Sequence, residues 1–358
     1  MLLSVVLLGA GAQFVSTGSA PSSEPAAPAI SAIAVSGPQA LPVEIRGVHV
    51  TMGLASLPGK LDEYIDLERD GLTALELDVK DENGQIGFVS RGTTLATKIG
   101  AARDFFKPRE VARLASERGV YLVGRIVVFE DPILSHARPD LAIRTSGGAV
   151  WEDSAGLGWT NPYDTRVWEY NVDVAVAAAR AGFDEIMFDY VRFPSDGNVD
   201  SAVYRNRGSL AKRDAIPAFL RYAARRLDRF DVRVSAAVFG LSAARDLGIG
   251  QLPGRMAPHV DTIYAMTYPS LFGSGELGIA DPSAAPGETV SRALRRFAIR
   301  LRGSKALVVP WVQDFSFTTP FELEQVRAQI DAARRAGAKG FMLWNAEGVY
   351  TEGALAPP

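Results

Sequence analysis

The chain has 358 residues, 47% of them hydrophobic and 22% charged, so it can bury a large core as one or two ordinary globular domains. Its formal net charge is -3 and it has no long run of Lys or Arg, which argues against a nucleic-acid partner. It contains no cysteine, which excludes disulfides, thiolate metal sites and a cysteine nucleophile. Its three histidines are too scattered for a zinc site. We therefore predict neither a metal nor a cofactor.

The N-terminal residues have the layout of an export signal. The apolar run from Met1 to Ala12 is shorter than the roughly 20 residues that cross a membrane, and it leads into small residues ending at Ala20. The usual preceding Lys or Arg is missing, so a membrane-surface anchor and a wrongly assigned start codon stay open. We expect residues 1–20 to be a signal peptide or anchor, residues 21–42 to be a Pro/Ala/Ser linker outside the fold, and the protein to be exported, either extracellular or associated with the cell envelope.

Eight short runs rich in Val, Ile, Phe and Tyr, each bounded by turn residues, predict eight strands. They span residues 44–51, 73–80, 121–129, 185–193, 233–240, 262–268, 306–315 and 339–345. Apolar residues at three- and four-residue spacing predict helices between them, at residues 60–71, 108–119, 164–182, 209–230, 288–303 and 320–337, with a weaker one at 250–260. This alternation predicts a (β/α)8 TIM barrel over residues 43–352. A doubly wound open sheet is the alternative, but no glycine-rich phosphate loop follows the first strand.

Charged side chains occupy strand positions that should face the lumen of the predicted barrel. In "ALELDVK", Glu76, Asp78 and Lys80 alternate with leucines and a valine, and "EIMFDY" leaves Asp189 on the lumen side. A barrel strand is buried on both sides, so a charge there needs a partner or a function. The long segments after the strands would lie on the face where barrel active sites are built. A buried ion-pair ladder, such as Glu76 with Lys80 or Arg125, is the structural alternative.

The carboxylates near the predicted strand ends are candidates for glycoside hydrolysis. That reaction needs two of them, one protonated as the acid and one ionised as nucleophile or base. The candidate catalytic residues are Asp189, Asp78, Asp131 and Asp314, and Glu130 also competes as the second carboxylate. Arg125 and Arg192 are expected as counter-charges of the cluster. The candidate substrate-binding residues are Arg192, Arg125, Lys80, Glu130, Tyr268, Gln313, Trp311, Trp344 and Asn345.

Two tryptophans in the Gly-rich segment 139–164 are predicted to be exposed, because the segment offers no core for Trp151 and Trp159 to join. Flat rings in an open cleft are what sugar faces stack on. The acidic segment 78–87 has the start and the Gly84 of a calcium loop, but it lacks the terminal Glu, so we do not predict a metal site there.

Several of these motifs resemble a glycoside hydrolase family that was long classed as a domain of unknown function. The matching pieces are "RGVHVT", "LTALELDVKDENGQIGF", "GRIVVFEDPIL", "GFDEIMFDYVRFPSDG", "VFGL" with "LGIGQ", "YAMTYPS", "PWVQDF" and "FMLWNAEGVY". They follow one another through nearly all of residues 46–350. The resemblance implies a TIM barrel, distantly like chitinase-type and amylase-type barrels, that acts on a polysaccharide.

The chain departs from what this resemblance implies. The family pattern has Lys, Asp, His and Arg at the positions of Glu130, Ala237, Leu271 and Val309. In the chitinase-type pattern, the catalytic Glu stands where this chain has Val191, so chemistry by that residue is excluded. We expect a divergent glycosidase acting on a polysaccharide or cell-envelope glycan. The alternative is an inactive barrel that binds carbohydrate or a cell-envelope partner, and Ala237 favours it because it would end the fifth strand, beside Asp189.

Overall fold

The computed structural model describes residues 38–317 and 319–358. The predicted signal or anchor segment, and the predicted linker up to residue 37, lie outside the described residues. Eight parallel strands close into a barrel in chain order. They are β1 Ile45–Val50, β2 Ala74–Lys80, β3 Tyr121–Val127, β4 Glu185–Asp189, β5 Arg233–Phe239, β6 Thr262–Met266, β7 Leu307–Gln313 and β8 Gly340–Trp344. The predicted (β/α)8 TIM barrel and all eight predicted strands are confirmed.

Helices surround the barrel. In the described ranges they are α1 Met52–Ala55, α2 Lys60–Asp66, α3 Thr94–Lys98, α4 Pro108–Glu117, α5 Pro132–Ala137, α6 Thr165–Ala181, α7 Lys212–Leu227, α8 Pro253–Met256, α9 Pro286–Arg300 and α10 Leu323–Arg335. The ends of α6 show why the chain folds this way locally. Asp164 caps its first turn through Arg166 N, and Gly182 ends it at φ 106°, a left-handed conformation that glycine adopts without strain.

Alternating side chains divide the core into two parts. On β2, Leu75 and Leu77 pack outward against the helices, while Ala74 packs in the lumen. Most of the lumen is apolar, and its buried hydrophobic residues are Ile45, Ala74, Tyr121, Val123, Met187, Ala237, Tyr264, Tyr268, Val309, Trp311 and Met342. Charged groups therefore occupy only part of an otherwise well-filled lumen.

Residues of the predicted linker contact the amino-terminal end of the barrel. Gln39 donates from its backbone N to Asp184 Oδ1 at 2.6 Å and from Nε2 to Val120 O at 2.8 Å. Leu41 packs against the apolar lumen cluster. The predicted linker boundary at residue 42 is therefore too late, because the folded unit already includes Gln39.

Two further expectations from the sequence are wrong. Trp151 and Trp159 are buried, because Trp151 Nε1 donates to Asn198 O and Trp159 Nε1 to Asp153 Oδ2, both at 2.9 Å, so the loop folds over its own tryptophans. Ala237 does not end β5, which continues to Phe239. Among the described residues, no helix is both long enough and apolar enough to cross a membrane.

Candidate active site

Arg125 of β3 is the centre of a charged network inside the barrel. Its Nη1 lies 2.7 Å from Asp78 Oδ1, while Nε and Nη2 lie 2.9 and 2.8 Å from Asp189 Oδ2. Strand pairing brings these three side chains together. Asp78 on β2 is the direct neighbour of Arg125, and Asp189 is the last residue of β4, which pairs with the other edge of β3. All three are buried, and Asp189 is only 1% exposed. The positive charge of the Arg125 guanidinium group thus compensates part of the negative charge of two buried carboxylates.

His49 of β1 extends this network. Its Nε2 lies 3.0 Å from Asp78 Oδ1. Burial alone would lower the pKa of His49, but the charge and hydrogen bond of Asp78 outweigh burial, so the pKa of His49 is raised. Burial likewise acts to raise the pKa of Asp78, but His49 and Arg125 hold it below its ordinary value. Asp78 is therefore an ionised group held by Arg125 and His49.

Glu76 lies two residues before Asp78 on β2, and its carboxyl group is neutral whereas that of Asp78 is ionised. It is fully buried, and neither carboxyl oxygen has a hydrogen-bond partner among the described residues. The nearest cation is Arg125, whose Nε lies 3.9 Å from Glu76 Oε1. Burial raises the pKa of Glu76 to about 8, against the lowering effect of His49 and Arg125. Glu76 is therefore a neutral acid at pH 7.

The chain leaves β4 in a strained conformation. Tyr190, directly after Asp189, has φ 47°, in the left-handed region that side chains other than glycine seldom adopt. Asp189 Oδ1 accepts a hydrogen bond from Tyr190 N at 2.7 Å, so one carboxyl oxygen is held by this turn and the other by Arg125. The turn fixes the carboxylate at the end of the strand.

Glu130 follows β3 and is 5% exposed. Burial raises its pKa to about 9; Arg192 acts to lower the pKa, while the negative charges of Asp153 and Glu82 raise it. Glu82, by contrast, has a side chain that is 44% exposed, and its Oε2 lies 3.7 Å from Arg125 Nη1. Glu130 is thus held as a neutral acid beside the charged network.

Arg192 forms no ion pair with Asp78 or Asp189, the carboxylates predicted as its partners, although its charge acts to lower the pKa of Glu130. Its guanidinium lies 4.9 Å from the ring centroids of Trp159, Tyr190 and Phe239. Its Nη1 donates to Phe193 O at 3.2 Å, and no described carboxylate lies within ion-pair distance. The prediction failed because these aromatic neighbours come from three separate segments of the chain.

Lys80 and Asp131 form a closed ion pair, at 2.8 Å, that lies away from the lumen network. Lys80 Nζ also donates to Asn171 Oδ1 of α6 at 3.0 Å, and Asp131 Oδ1 caps α5 by accepting from Leu134 N at 2.8 Å. The pairing of β2 with β3 shifts register between Asp78 and Lys80, which breaks the alternation used for the prediction. Both side chains are fully buried, so the structure gives them a structural role rather than a catalytic or substrate-binding one.

Asp314, Gln313 and Asn345 organise the chain around the ends of β7 and β8. Asp314 accepts from Thr351 N at 2.9 Å, and Asn345 Nδ2 donates to Asp314 O at 2.6 Å. Gln313 Oε1 accepts from Ser270 N at 3.0 Å. These contacts commit the three side chains to neighbouring loops, so none of them is brought to Arg125.

Aromatic side chains from β7, β8 and the segment after β6 lie together at the barrel mouth. We call Tyr268, Trp311 and Trp344 the aromatic wall. Tyr268 and Trp311 stack at 6.4 Å, Trp344 and His49 at 6.1 Å, and Tyr268 and Trp344 are 5.6 Å apart. Three donors on this wall have no described hydrogen-bond partner: Tyr268 Oη, Trp311 Nε1 and Trp344 Nε1. Stacked rings with spare donors suit a sugar, which presents an apolar face and hydroxyl groups.

Sequence reasoning missed two residues of this site. His49 was considered only as a metal ligand, although it is the direct neighbour of Glu76 across β1 and β2 and shares its lumen-facing parity. Glu76 was considered only as part of an ion-pair ladder with Lys80 or Arg125; in the structure it lies 3.9 Å from Arg125 Nε, but its carboxyl group forms no hydrogen bond with a described residue. Within the described ranges, no group of three or more His, Asp or Glu residues could hold a metal ion.

A parallel barrel with buried carboxyl groups and stacked aromatic rings at the carboxyl ends of its strands has the organisation of carbohydrate-active (β/α)8 barrels. Residues 47–350 match the sequence profile of the family described as "Putative glycosyl hydrolase domain", and the chain belongs to this family. The resemblance drawn from its motifs is confirmed. None of the curated protein sequences compared with the chain matches it.

Solved structures of bacterial carbohydrate-active proteins share the fold. The glycoside hydrolase domain of PgaB (BpsB) from Bordetella bronchiseptica is 15% identical, with a TM-score of 0.62 over 86% of this chain and 95% of its own. The spore cortex-lytic enzyme SleL of Bacillus megaterium is 13% identical, with a TM-score of 0.51 over 86% and 72%. The catalytic domain of β-amylase from Paenibacillus polymyxa is 12% identical, with a TM-score of 0.51 over 88% and 96%. At these identities the likeness shows the fold alone.

Proposed function

We propose that this barrel hydrolyses glycosidic bonds in a polysaccharide or cell-envelope glycan by carboxylate acid/base chemistry. One observation carries the proposal: Glu130 and Asp189 are both connected to Tyr190 and lie in contrasting environments, Glu130 through Trp159 and Asp189 as the preceding residue. Glu130 forms an isolated backbone bridge with Trp159, whose ring centroid lies 6.1 Å from that of Tyr190, and Tyr190 N donates to Asp189 Oδ1 at 2.7 Å. Glu130 is held neutral by burial, while Asp189 contacts a guanidinium group. Glycoside hydrolysis uses two carboxyl groups in contrasting environments, one of which donates a proton.

The roles follow from these environments. Glu130 is the general acid that protonates the leaving oxygen, because it still holds its proton at neutral pH. Asp189 is the carboxylate that faces the anomeric carbon, as nucleophile or as base for a water molecule. Asp78 and His49 are positioning residues that act through Arg125. Family membership supports the proposal independently.

The aromatic wall would hold the substrate in place. Trp344 and Tyr268 offer ring faces, and their unpartnered N–H and O–H groups, with that of Trp311, can donate to sugar hydroxyls. On substrate binding, Arg125 would exchange part of its contact with Asp189 for one with the sugar.

A second candidate function is a barrel that binds glycan without cleaving it. The observation in its favour is that Asp189 is buried in a closed pair with Arg125. In addition, Ala237 gives β5 no carboxylate in the lumen. In this case the aromatic wall and Arg125 would bind the glycan, but no carboxylate would be free to cleave it.

A hydrolysis assay on a panel of polysaccharides and aryl glycosides tests the proposal, with wild type, Glu130→Gln and Asp189→Asn compared at equal folded concentration. The proposal expects hydrolysis of at least one glycan by wild type, and loss of this activity in both variants. Binding is measured in parallel by sedimentation with insoluble glycans. Sedimentation without hydrolysis supports the binding barrel, and hydrolysis unchanged in both variants overturns the assignment of Glu130 and Asp189.

We further propose that the protein is exported, because residues 1–20 have the layout of a signal peptide or anchor. Fractionation of cells expressing the full chain tests this. Recovery outside the cytoplasm, together with retention inside when residues 1–20 are deleted, is the expected result. Equal retention of both forms in the cytoplasm would contradict it.

A further inference from the structure

A groove lies between α9 and α10 on the outer wall of the barrel, away from the mouth. Its lining includes four guanidinium groups and one carboxylate, contributed by Arg292, Arg295, Arg296, Arg335 and Glu288. Small residues, Gly287 and Ser291, also line it. Gly287 lets the two helices approach closely, because a Cβ at this position would lie 2.8 Å from Ala328 O. The result is a recess lined mainly by cations.

Most of these cations are uncompensated. Arg292 is committed, since its Nη2 lies 2.5 Å from Glu288 Oε1 and its Nη1 donates to Leu277 O at 2.9 Å. Arg295, Arg296 and Arg335 are exposed, and none of them has a carboxylate within 4.0 Å among the described residues. Three unpaired cations in one recess create a local positive potential that attracts anions.

We infer that this groove binds an anionic polysaccharide, with Arg295, Arg296 and Arg335 contacting its acidic groups. Guanidinium groups pair with carboxylate and phosphate groups through two parallel hydrogen bonds. Single exposed ion pairs are weak, so useful affinity requires a polymer that presents several acidic groups to one groove. A recess between two helices accepts a linear chain, and the choice of a polysaccharide rests on the proposed function.

The location separates this groove from the candidate active site. The groove lies on helices that precede and follow β7, whereas Glu130 and Asp189 follow β3 and end β4. Binding there would hold a polymer beside the domain while the mouth acts on another part of it. Loss of the groove therefore leaves hydrolysis of small substrates unchanged.

Affinity electrophoresis tests the inference, with polygalacturonate as the anionic probe and dextran as the neutral one. The variant Arg295→Gln/Arg296→Gln/Arg335→Gln removes the three unpaired cations. A matched control, Arg213→Gln/Arg221→Gln/Arg225→Gln, removes three exposed arginines of α7 and changes the net charge equally. Hydrolysis of a small aryl glycoside, together with urea unfolding, shows whether both triple variants keep the fold and the active site.

The expected result is retardation of wild type by polygalacturonate but not by dextran. The groove variant should bind about tenfold more weakly, because three exposed ion pairs each contribute only a few-fold. The α7 control should stay within about twofold of wild type. Equal loss in both triple variants would show a general charge effect and overturn the inference. Wild type that is not retarded, or that binds anionic lipid vesicles but not polygalacturonate, would also overturn it. None of these outcomes depends on hydrolysis, so the inference can fail while the proposed glycosidase activity stands.

Discussion

Arg125 Nε donates to Asp189 Oδ2 at 2.9 Å, its Nη2 lies 2.8 Å from the same oxygen, and its Nη1 donates to Asp78 Oδ1 at 2.7 Å. One guanidinium group therefore contacts two buried carboxylates from two different strands. The cost of burying these charges is offset only while all three groups stay together. The network holds the upper part of the barrel together as well as forming the candidate site.

Replacing Arg125 by Met should destabilise the protein by about 3–5 kcal/mol, because it leaves Asp78 and Asp189 buried with one cation fewer. Arg125→Lys should restore only part of the loss, since an ammonium group cannot bridge both carboxylates in the same way. Urea unfolding followed by circular dichroism measures the free energies. The control is Arg113→Met, which removes an exposed pair with Glu117 and should cost less than about 1 kcal/mol. Equal losses for Arg125→Met and Arg113→Met would show that the network is not stabilising.

Glu76 should make stability fall as the pH rises. In the folded protein its pKa is raised to about 8, so between its ordinary pKa of 4.5 and about 8 the folded state binds one proton more than the unfolded state. In this window its contribution decreases by up to roughly 1.4 kcal/mol per pH unit.

Because glutamine cannot titrate, Glu76→Gln should gain stability relative to wild type from pH 5 to pH 8 in urea unfolding. Glu130 acts in the same direction in both proteins, so it does not affect the comparison. Glu110→Gln, an exposed replacement on α4, serves as the control and should show no such trend. A constant difference between Glu76→Gln and wild type across this range would show that Glu76 does not keep its proton in the fold.

Glu130→Gln should lower kcat/KM on the cleaved polysaccharide by about 10²–10⁴-fold, because the general acid is lost. The loss should be smaller on an aryl glycoside whose leaving group needs little protonation. In wild type, activity should decline on the alkaline side only as the pH approaches about 9, where Glu130 releases its proton. Steady-state kinetics from pH 5 to pH 10 measure both effects. Glu152→Gln on the same loop is the matched control, and a loss there as large as at Glu130 would argue against a specific acid.

Lys80 should affect stability but not the chemistry. Lys80→Met leaves Asp131 buried without its cation and should cost about 3–5 kcal/mol. The double variant Lys80→Met/Asp131→Asn should recover part of the loss, because asparagine carries no charge and still accepts from Leu134 N. Urea unfolding gives the coupling, and kcat/KM per folded molecule should stay within about threefold of wild type. A loss of kcat/KM without a loss of stability would instead place Lys80 in the substrate site.

The sequence predicted what depends on local patterns. Runs of apolar residues located all eight strands, and the alternation in β2 placed Glu76 and Asp78 in the lumen as observed. It did not predict features that depend on distant contacts. The register shift after Asp78 turned Lys80 toward α6, and only a folded loop could show that Asp153 accepts from Trp159. The protonated state of Glu130 likewise depends on burial by segments remote in sequence.

The contacts of Gln39 have a consequence for how the domain is presented to its surroundings. Gln39 binds Val120 and Asp184, which directly precede β3 and β4, so the chain enters at the end of the barrel opposite Asp189. A fusion partner joined directly before Gln39 would therefore be attached at the base of the barrel and would leave the face that carries the candidate site unobstructed.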